Sequence, residues 1–215
     1  LYQSKAFDNS FLGINSSEEM RAIWVPYMDL DMKGTNYSQT SFQQKFDNIV
    51  NESKNLNMNT LIVHVRPFSD ALYPSKIFPW SHIISGTQGN DPGFDPLKYM
   101  VEKSHQCGLK IHAWVNPLRI QIANQPGIIS NNNPFSKWKN GSDVKSNNFV
   151  TDFGDEKYYN PGYPEVRKLI IDGIKEIVSN YDIDGIHFDD YFYPKNKENF
   201  DTACYSEYCS TIKDG

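Results

Sequence analysis

The sequence predicts a parallel α/β fold of the TIM-type (β/α) barrel, present as roughly its first four βα units. Three observations lead there. Apolar strand-like runs near residues 21–27, 60–66, 110–116 and 183–190 alternate with segments of helical periodicity, an order that implies crossover connections and a parallel sheet. Three of those runs carry polar side chains on one parity only. The last run ends in two carboxylates, Asp189 and Asp190, followed by the aromatic cluster Tyr191-Phe192-Tyr193.

Taken in order, residues 1–19 read as a polar tail or linker, and residues 20–215 as one barrel-type domain. Residues 21–27 form the first strand and residues 28–39 a loop rich in Asp, Gly and Asn. Thr40 and Gln43 have the spacing of a capping box, after which Phe42, Phe46, Ile49, Val50 and Leu56 recur at helical intervals. The second strand, 60–66, stops at Pro67. The loop over 68–94 carries Asp70, Tyr73, Phe78 and Trp80. Asp95-Pro96 opens the next helix with proline in its first turn; Leu97, Met100, Val101 and Ser104 make its inner stripe and Gly108 ends it. The third strand, 110–116, stops at Pro117. Residues 118–163 are rich in Asn and Gly, and an excursion of that length covers a functional site or forms a small subdomain. Pro164 starts a helix with Val166, Leu169, Ile170, Ile174, Ile177, Val178 and Tyr181 on one side. An Asp/Gly turn then leads into the fourth strand, and the polar stretch 195–215 has room for one more helix.

The parity pattern separates a barrel from an open sheet. Strands covered by helices on both faces are apolar on both parities. Here one parity is apolar (Leu61, Val63, Val65; Ile111, Ala113, Val115; Ile186, Phe188). The other holds His64 and Arg66, then His112, Trp114 and Asn116, then His187 and Asp189. Alternate residues of a strand share a face, so the polar set would line a barrel interior and meet near its C-terminal mouth. Each residue alone has a structural explanation: a hydrogen-bonded core histidine, an arginine paired with a buried acid, a packing tryptophan, a turn-forming asparagine, aspartates that cap the next element. Their convergence on one parity is what points to a shared site.

A chain of 215 residues can bury one sizeable core. The formal net charge of −5 argues against a nucleic-acid or anionic-membrane partner, which would need clustered Lys and Arg. No apolar run is long enough to span a bilayer. Aromatic residues make up 14% of the chain, enough for rings that stack on sugars or bases besides those filling the core. Cys107, read as buried at a helix end, Cys204 and Cys209 form no disulfide framework or zinc ribbon. Cys204 and Cys209 could pair or stay free.

At these residues the chain resembles the glycosyl-hydrolase-like ten family, bacterial (β/α)-barrel proteins distantly similar to the α-amylase and α-galactosidase clans. The likeness is carried by Arg21-Ala22-Ile23-Trp24-Val25, by Val65-Arg66-Pro67 with Asp70-Ala71-Leu72-Tyr73-Pro74-Ser75, and by His112-Ala113-Trp114-Val115-Asn116-Pro117. Asp184-Gly185-Ile186-His187-Phe188-Asp189-Asp190-Tyr191-Phe192-Tyr193-Pro194 is the most specific segment, and Asn160-Pro161-Gly162 with Val166-Arg167 matches as well. The resemblance implies activity on an oligo- or polysaccharide without a cofactor or metal. Some members are similar to enzymes that cut peptidoglycan glycan strands stripped of peptides. That in turn implies a cell-envelope or extracellular location with a signal peptide removed. In the related clans an aspartate at the end of strand four, two residues past an inward basic residue, is the nucleophile; Asp189 matches it, and His187 stands at the basic position.

The expected site therefore has Asp189 and Asp190 as catalytic carboxylates, with Arg66 and His187 keeping Asp189 ionised. Trp80, Trp114 and Tyr191 stack on sugar rings, and Asp70, His112 and Asn116 bond hydroxyls beside Tyr73. Asp70 is also the second choice for the second carboxyl. Two features depart from the family pattern: four strands stand where a full barrel has eight, and the general acid of the related clans lies on a fifth strand. Either the sequence is a fragment, the expected case, or a half-barrel associates with another chain through its open sheet edges. The rival readings are a metal-dependent hydrolase using His64, His112, His187 and Asp189, which lack a tight ligand cluster, and a non-catalytic glycan-binding module.

Overall fold

A computed structural model describes residues 19–192 and 201–212. In chain order its elements begin with β1 (Ala22–Val25), α1 (Tyr27–Leu30), α2 (Gln39–Asn55), β2 (Thr60–Arg66), α3 (His82–Ser85), α4 (Pro96–Gln106) and β3 (Lys110–Val115). After these come β4 (Arg119–Gln121), α5 (Pro134–Lys139), β5 (Val150–Asp152), β6 (Lys157–Tyr159), α6 (Pro164–Asn180), β7 (Gly185–Phe188) and α7 (Thr202–Thr211). The expected tail over 1–19 lies almost wholly outside the described residues. So does the junction at Tyr193 and Pro194.

The fold is α/β, and its main sheet is parallel in the order β1-β2-β3-β7. The helices form as their local chemistry dictates, with two adjustments. In α4, Asp95 caps the helix by accepting the Lys98 N–H at 3.0 Å, and Pro96 sits in the first turn. In α2 the cap is Ser38, whose hydroxyl accepts the Ser41 N–H. The helix thus starts ahead of the expected Thr40–Gln43 box, because a serine already satisfies the first free amides. Phe42, Phe46 and Val50 of α2 are buried against the sheet. In α6 only Val166, Gly173 and Ile177 are buried, and Val178 is half-exposed, so the inner stripe is narrower than the periodicity implies.

Register decides which side chains share a face. Ile62 lies opposite His112, His64 opposite Trp114, and Trp114 opposite His187, so the polar parity of three strands is contiguous. The pattern breaks at Val65. A register shift between His64 and Arg66 sets Arg66 opposite Val115, a fully buried residue of the apolar, helix-facing parity. A bulge inserts one residue and turns the next side chain to the other face. Arg66, expected in the hollow, is instead 1% exposed beneath α6, with its guanidinium 4.4 Å from the Phe78 ring centroid. Gly173 of α6 makes this possible: a Cβ there would stand 2.0 Å from Arg66 Nη1 and 2.7 Å from the Phe78 ring.

The excursion after β3 is a small subdomain, as one of the two readings of its length allowed. Its strands form an antiparallel sheet in the order β4-β6-β5, with a separate core that includes Ile120, Phe135, Phe149 and Tyr159. Cys107 caps α4 and is partly exposed rather than buried, and Cys204 and Cys209 are free thiols. No helix among the described residues is long and apolar enough to cross a membrane.

Gly173→Ala measures how tightly Arg66 is packed. Alanine gains up to about 1 kcal/mol in helix propensity, whereas overpacking a filled core costs about 1–3 kcal/mol. The urea midpoint of the variant should therefore fall, by about 1–2 kcal/mol of stability. An unchanged or raised midpoint would mean that the guanidinium has room to move.

Candidate active site

The inner face of the sheet is built from stacked rings. His64 lies parallel to Trp114, with centroids 3.3 Å apart, and Trp24 meets Trp114 edge-on at 4.7 Å. His64 Nδ1 accepts the Tyr27 N–H at 3.1 Å, which makes Nε2 the protonated nitrogen that donates to Asn116 Oδ1 at 3.2 Å. Asn116 in turn donates to the Pro67 carbonyl. Burial pushes the His64 pKa down to about 3. It is a neutral structural pin, and Asn116, 2% exposed, is its partner rather than a ready donor to ligand.

His187 continues the row of His64 and Trp114, and His112 stands in the row before it; His112 Nδ1 and His187 Nε2 share a hydrogen bond of 2.8 Å. Burial lowers both pKa values, and His187 lowers that of His112 further. Two imidazoles bonded nitrogen to nitrogen cannot both be cations without losing the acceptor lone pair. Gly185 is the reason the pair fits: it lies in the strand opposite His112, and a Cβ there would stand 2.8 Å from the His112 ring. The glycine of the Asp184-Gly185 pair is therefore strand backbone making room for a ring. Asp184 closes the strand's entry by accepting the Ile111 N–H and bonding His105 Nε2.

The mouth lies where β7 ends. The Asp189 N–H continues the ladder to the Val115 carbonyl at 3.1 Å, and strand alternation keeps Asp189 on the side of His187. Asp189 Oδ1 accepts the Asp190 N–H at 2.7 Å. Its Oδ2 has no partner among the described residues. Asp190 has φ of 54°, a left-handed conformation rare for a residue other than glycine. This turn of the backbone carries its carboxylate to Arg119 Nε, with which it forms a tight, mostly buried ion pair. Tyr191 and Phe192 come next, both more than half exposed. With Tyr158, Leu118 and Cys204 they border a largely apolar cavity of about 170 Å³.

The structure thus brings Trp114, His112, His187 and Asp189 to one side of the sheet, with Asp190 and Tyr191 following at the end of β7. Four expected residues are not with them. Arg66 lies under α6. Tyr73 is 1% exposed, in the main core near Arg66, and burial raises its pKa. Asp70 is wholly buried, accepting from the Phe68 N–H and Gln88 Nε2 and bonding His82 Nδ1, so it touches no solvent and no ligand directly. Trp80 borders a separate cavity beside Lys76, Asn132 and Lys137. The sequence reading missed Arg119, whose only signal was a lone arginine two residues past the Pro117 that ends strand three.

The imidazoles do not surround a common point. Among the described residues no group of three or more His, Cys, Asp and Glu side chains is placed to hold a metal ion.

Comparison with known proteins supplies the context for this arrangement. The profile of the family described as Glycosyl hydrolase-like 10 matches residues 19–214. The chain is 37% identical over 201 residues to a protein named Glycosyl hydrolase YngK from Bacillus subtilis (strain 168), covering 90% of this chain and 38% of that one. It is 35% identical over 191 residues to Glycosyl hydrolase DigH from Escherichia coli (strain K12), covering 84% of this chain and 44% of that one. The chain therefore spans less than half the length of these relatives. Among solved structures, Alpha-L-fucosidase isoenzyme 2 from Paenibacillus thiaminolyticus superposes with a TM-score of 0.55 at 16% identity, over 91% of this chain and 27% of that one. That likeness speaks for the fold.

The state of His64 is open to a direct check. A histidine whose folded pKa lies below its unfolded value of about 6.5 binds its proton only after unfolding. It therefore supports the fold above that pH and withdraws support as the pH falls toward 3. Its imidazole resonances should stay at their neutral positions from pH 8 to about pH 4. Titration near pH 6 would show that the Tyr27–His64–Asn116 chain does not exist in solution.

Proposed function

Because the chain belongs to the glycosyl hydrolase-like 10 family, we propose that it forms the active-site-bearing part of a glycoside hydrolase in which Asp189 is the catalytic carboxylate. The observation that supports this most strongly is the division of labour between neighbouring aspartates. Asp190 is committed to Arg119, while Asp189 keeps one carboxylate oxygen unpartnered, among the described residues, at the end of the sheet face that carries the packed rings of Trp24, Trp114 and His187. Sugar rings offer apolar faces that stack on such rings, and glycoside cleavage develops positive charge at the anomeric carbon that a free carboxylate stabilises or attacks.

The roles then derive from the contacts. Asp189 faces the anomeric carbon. Asp190 and Arg119 are positioning groups: their ion pair fixes the left-handed turn at Asp190 and so the orientation of the Asp189 carboxylate that bonds its N–H. Trp114 and Trp24 bound the sugar from the sheet side, and Tyr191 with Phe192 and Tyr158 from the cavity side. His112 and His187, held neutral, offer hydrogen bonds to hydroxyls without adding positive charge beside the developing cation. The reaction also needs a proton donor. Asp70 is buried and Asp190 is paired, so neither is the donor.

The proposed substrate is a polysaccharide, with bacterial cell-wall glycan strands as the first choice and the cell envelope as the site of action. Support comes from the family's resemblance to enzymes acting on stripped glycan strands. The second reading is a glycan-binding module without catalysis. It is favoured by the presence, among the described residues, of a single unpartnered carboxylate at the mouth.

The two readings separate in a form of the protein that cleaves glycan. Asp189→Asn should reduce kcat by on the order of a thousandfold or more while leaving binding within a few-fold, the pattern of a group used in the transition state. Arg119→Lys, which keeps the charge but not the guanidinium fork, should cost about a hundredfold in kcat through misplacement of the mouth. Undiminished turnover in Asp189→Asn would remove the central assignment, and binding without cleavage in every form would establish the second reading.

A further inference from the structure

One polar pair at the same end of the sheet takes no part in the catalysis proposed for Asp189. Asp70, in the loop after β2, is wholly buried, yet it is not an isolated acid. Its Oδ1 accepts the Phe68 N–H at 3.2 Å, and its Oδ2 accepts Gln88 Nε2 at 3.2 Å and lies 3.4 Å from His82 Nδ1. A carboxylate only accepts, so Nδ1 carries a proton, and Nε2 is the nitrogen that faces away from the acid. Among the described residues Nε2 has no hydrogen-bond partner. The His82 side chain is 17% exposed, enough to be reached. It borders a cavity of about 240 Å³ between the Gly86–Gln88 turn and Pro126 and Gly127, at the tip of the hairpin that leaves β3.

This cavity stands beside the mouth. The Phe68 ring lies 5.3 Å from the His82 ring on one side and 5.6 Å from the Arg119 guanidinium on the other. A single buried aromatic ring therefore separates His82 from the Arg119–Asp190 pair. Burying a carboxylate is costly. Asp70 ties Phe68 to Gln88, and it also holds the His82 ring in one orientation, the service that outer-shell carboxylates give to ligand-binding imidazoles.

From this geometry we infer that His82 is a substrate-binding residue of an outlying subsite, sharing a hydrogen bond with a sugar hydroxyl through Nε2. Asp70 is the positioning residue that fixes the orientation of its ring. The inference rests on the glycoside hydrolase reading and deepens it, because it assigns to an unforeseen histidine the hydroxyl contact expected of Asp70. A second sugar unit, lying past the one at Asp189, would be the one that meets this cavity.

The test uses the folded chain with tetra-N-acetylchitotetraose as the probe. Imidazole nitrogen spectra should show His82 with a protonated Nδ1, and the Nε2 signal should move on titration with the tetrasaccharide. His82→Gln should weaken binding by about 3- to 10-fold, the loss of one neutral hydrogen bond, with an unchanged urea midpoint. Asp70→Asn should return a smaller loss together with a changed Nδ1 signal at His82. If the sugar moves signals of Trp114 and Tyr191 while His82 stays still and His82→Gln binds normally, this inference falls and the glycan reading stands. If no signal responds anywhere, the glycan reading falls and takes the subsite with it.

Discussion

One extra residue in β2 sets the terms for the whole mouth of the sheet. Were the alternation of that strand unbroken, Arg66 would join His64 in the hollow and place a permanent cation against the rings. The shift at Val65 turns the guanidinium under α6 instead, where Phe78 covers it and Gly173 leaves it space. The same shift lets the strand end so that the Pro67 carbonyl meets Asn116, while Asn116 receives His64. A bulge of this kind re-aims a side chain at little cost to the ladder below it. Its consequence is a division by face, with the cation in the helix layer and neutral rings on the inner side.

The two long connections are held to each other by polar contacts, and this is what gives the mouth a fixed rim. Ser69 bonds Tyr159 and Asn133, and Asn133 donates to the Ser69 carbonyl. Gln88 reaches both the Asp70 carboxylate and the Ser130 N–H. All these side chains except Ser130 are buried, so each unmade bond would carry a desolvation cost of about 1–3 kcal/mol. Loop and subdomain are therefore tied together. Arg119 enters from the subdomain and Asp190 from β7, and their ion pair is the joint between the subdomain and the sheet.

Much of this was legible in the sequence because strand periodicity and crossover order are local signals. The parallel sheet, its three polar runs and the place of Asp189 at a strand end come from alternation alone. Arg66 was not legible, since a bulge leaves no mark in a run as uniform as Leu61-Ile62-Val63-His64-Val65-Arg66. Tyr73 and Asp70 carry family-like motif positions but are buried by a loop whose path depends on contacts with residues some sixty to ninety positions later, such as Ser69 with Asn133 and Tyr159. Gly185 was legible as a glycine and misread as a turn, because its function is to leave space for the ring of His112, which belongs to another strand. Arg119 pairs across 71 residues, a separation at which sequence spacing says nothing.

The charge left at the mouth is set by these placements. His64 is pinned neutral between a backbone donor and Asn116, and His112 and His187 spend their facing nitrogens on each other while burial disfavours their cationic forms. Arg66 is turned away. At the rim, among the described residues, stand the two carboxylates of Asp189 and Asp190 against the single guanidinium of Arg119, a negative excess that falls on Asp189 because Asp190 is neutralised by its partner. Beside partly buried rings such an excess acts at more than its strength in bulk solvent. In the proposed function, with the sugar held against the rings by its apolar faces, it would favour a transition state with positive charge over a neutral ground state. Differential stabilisation of that kind is the requirement for catalysis rather than mere binding. Removing the bulge would undo it, because Arg66 would then supply the cation that the inner face lacks.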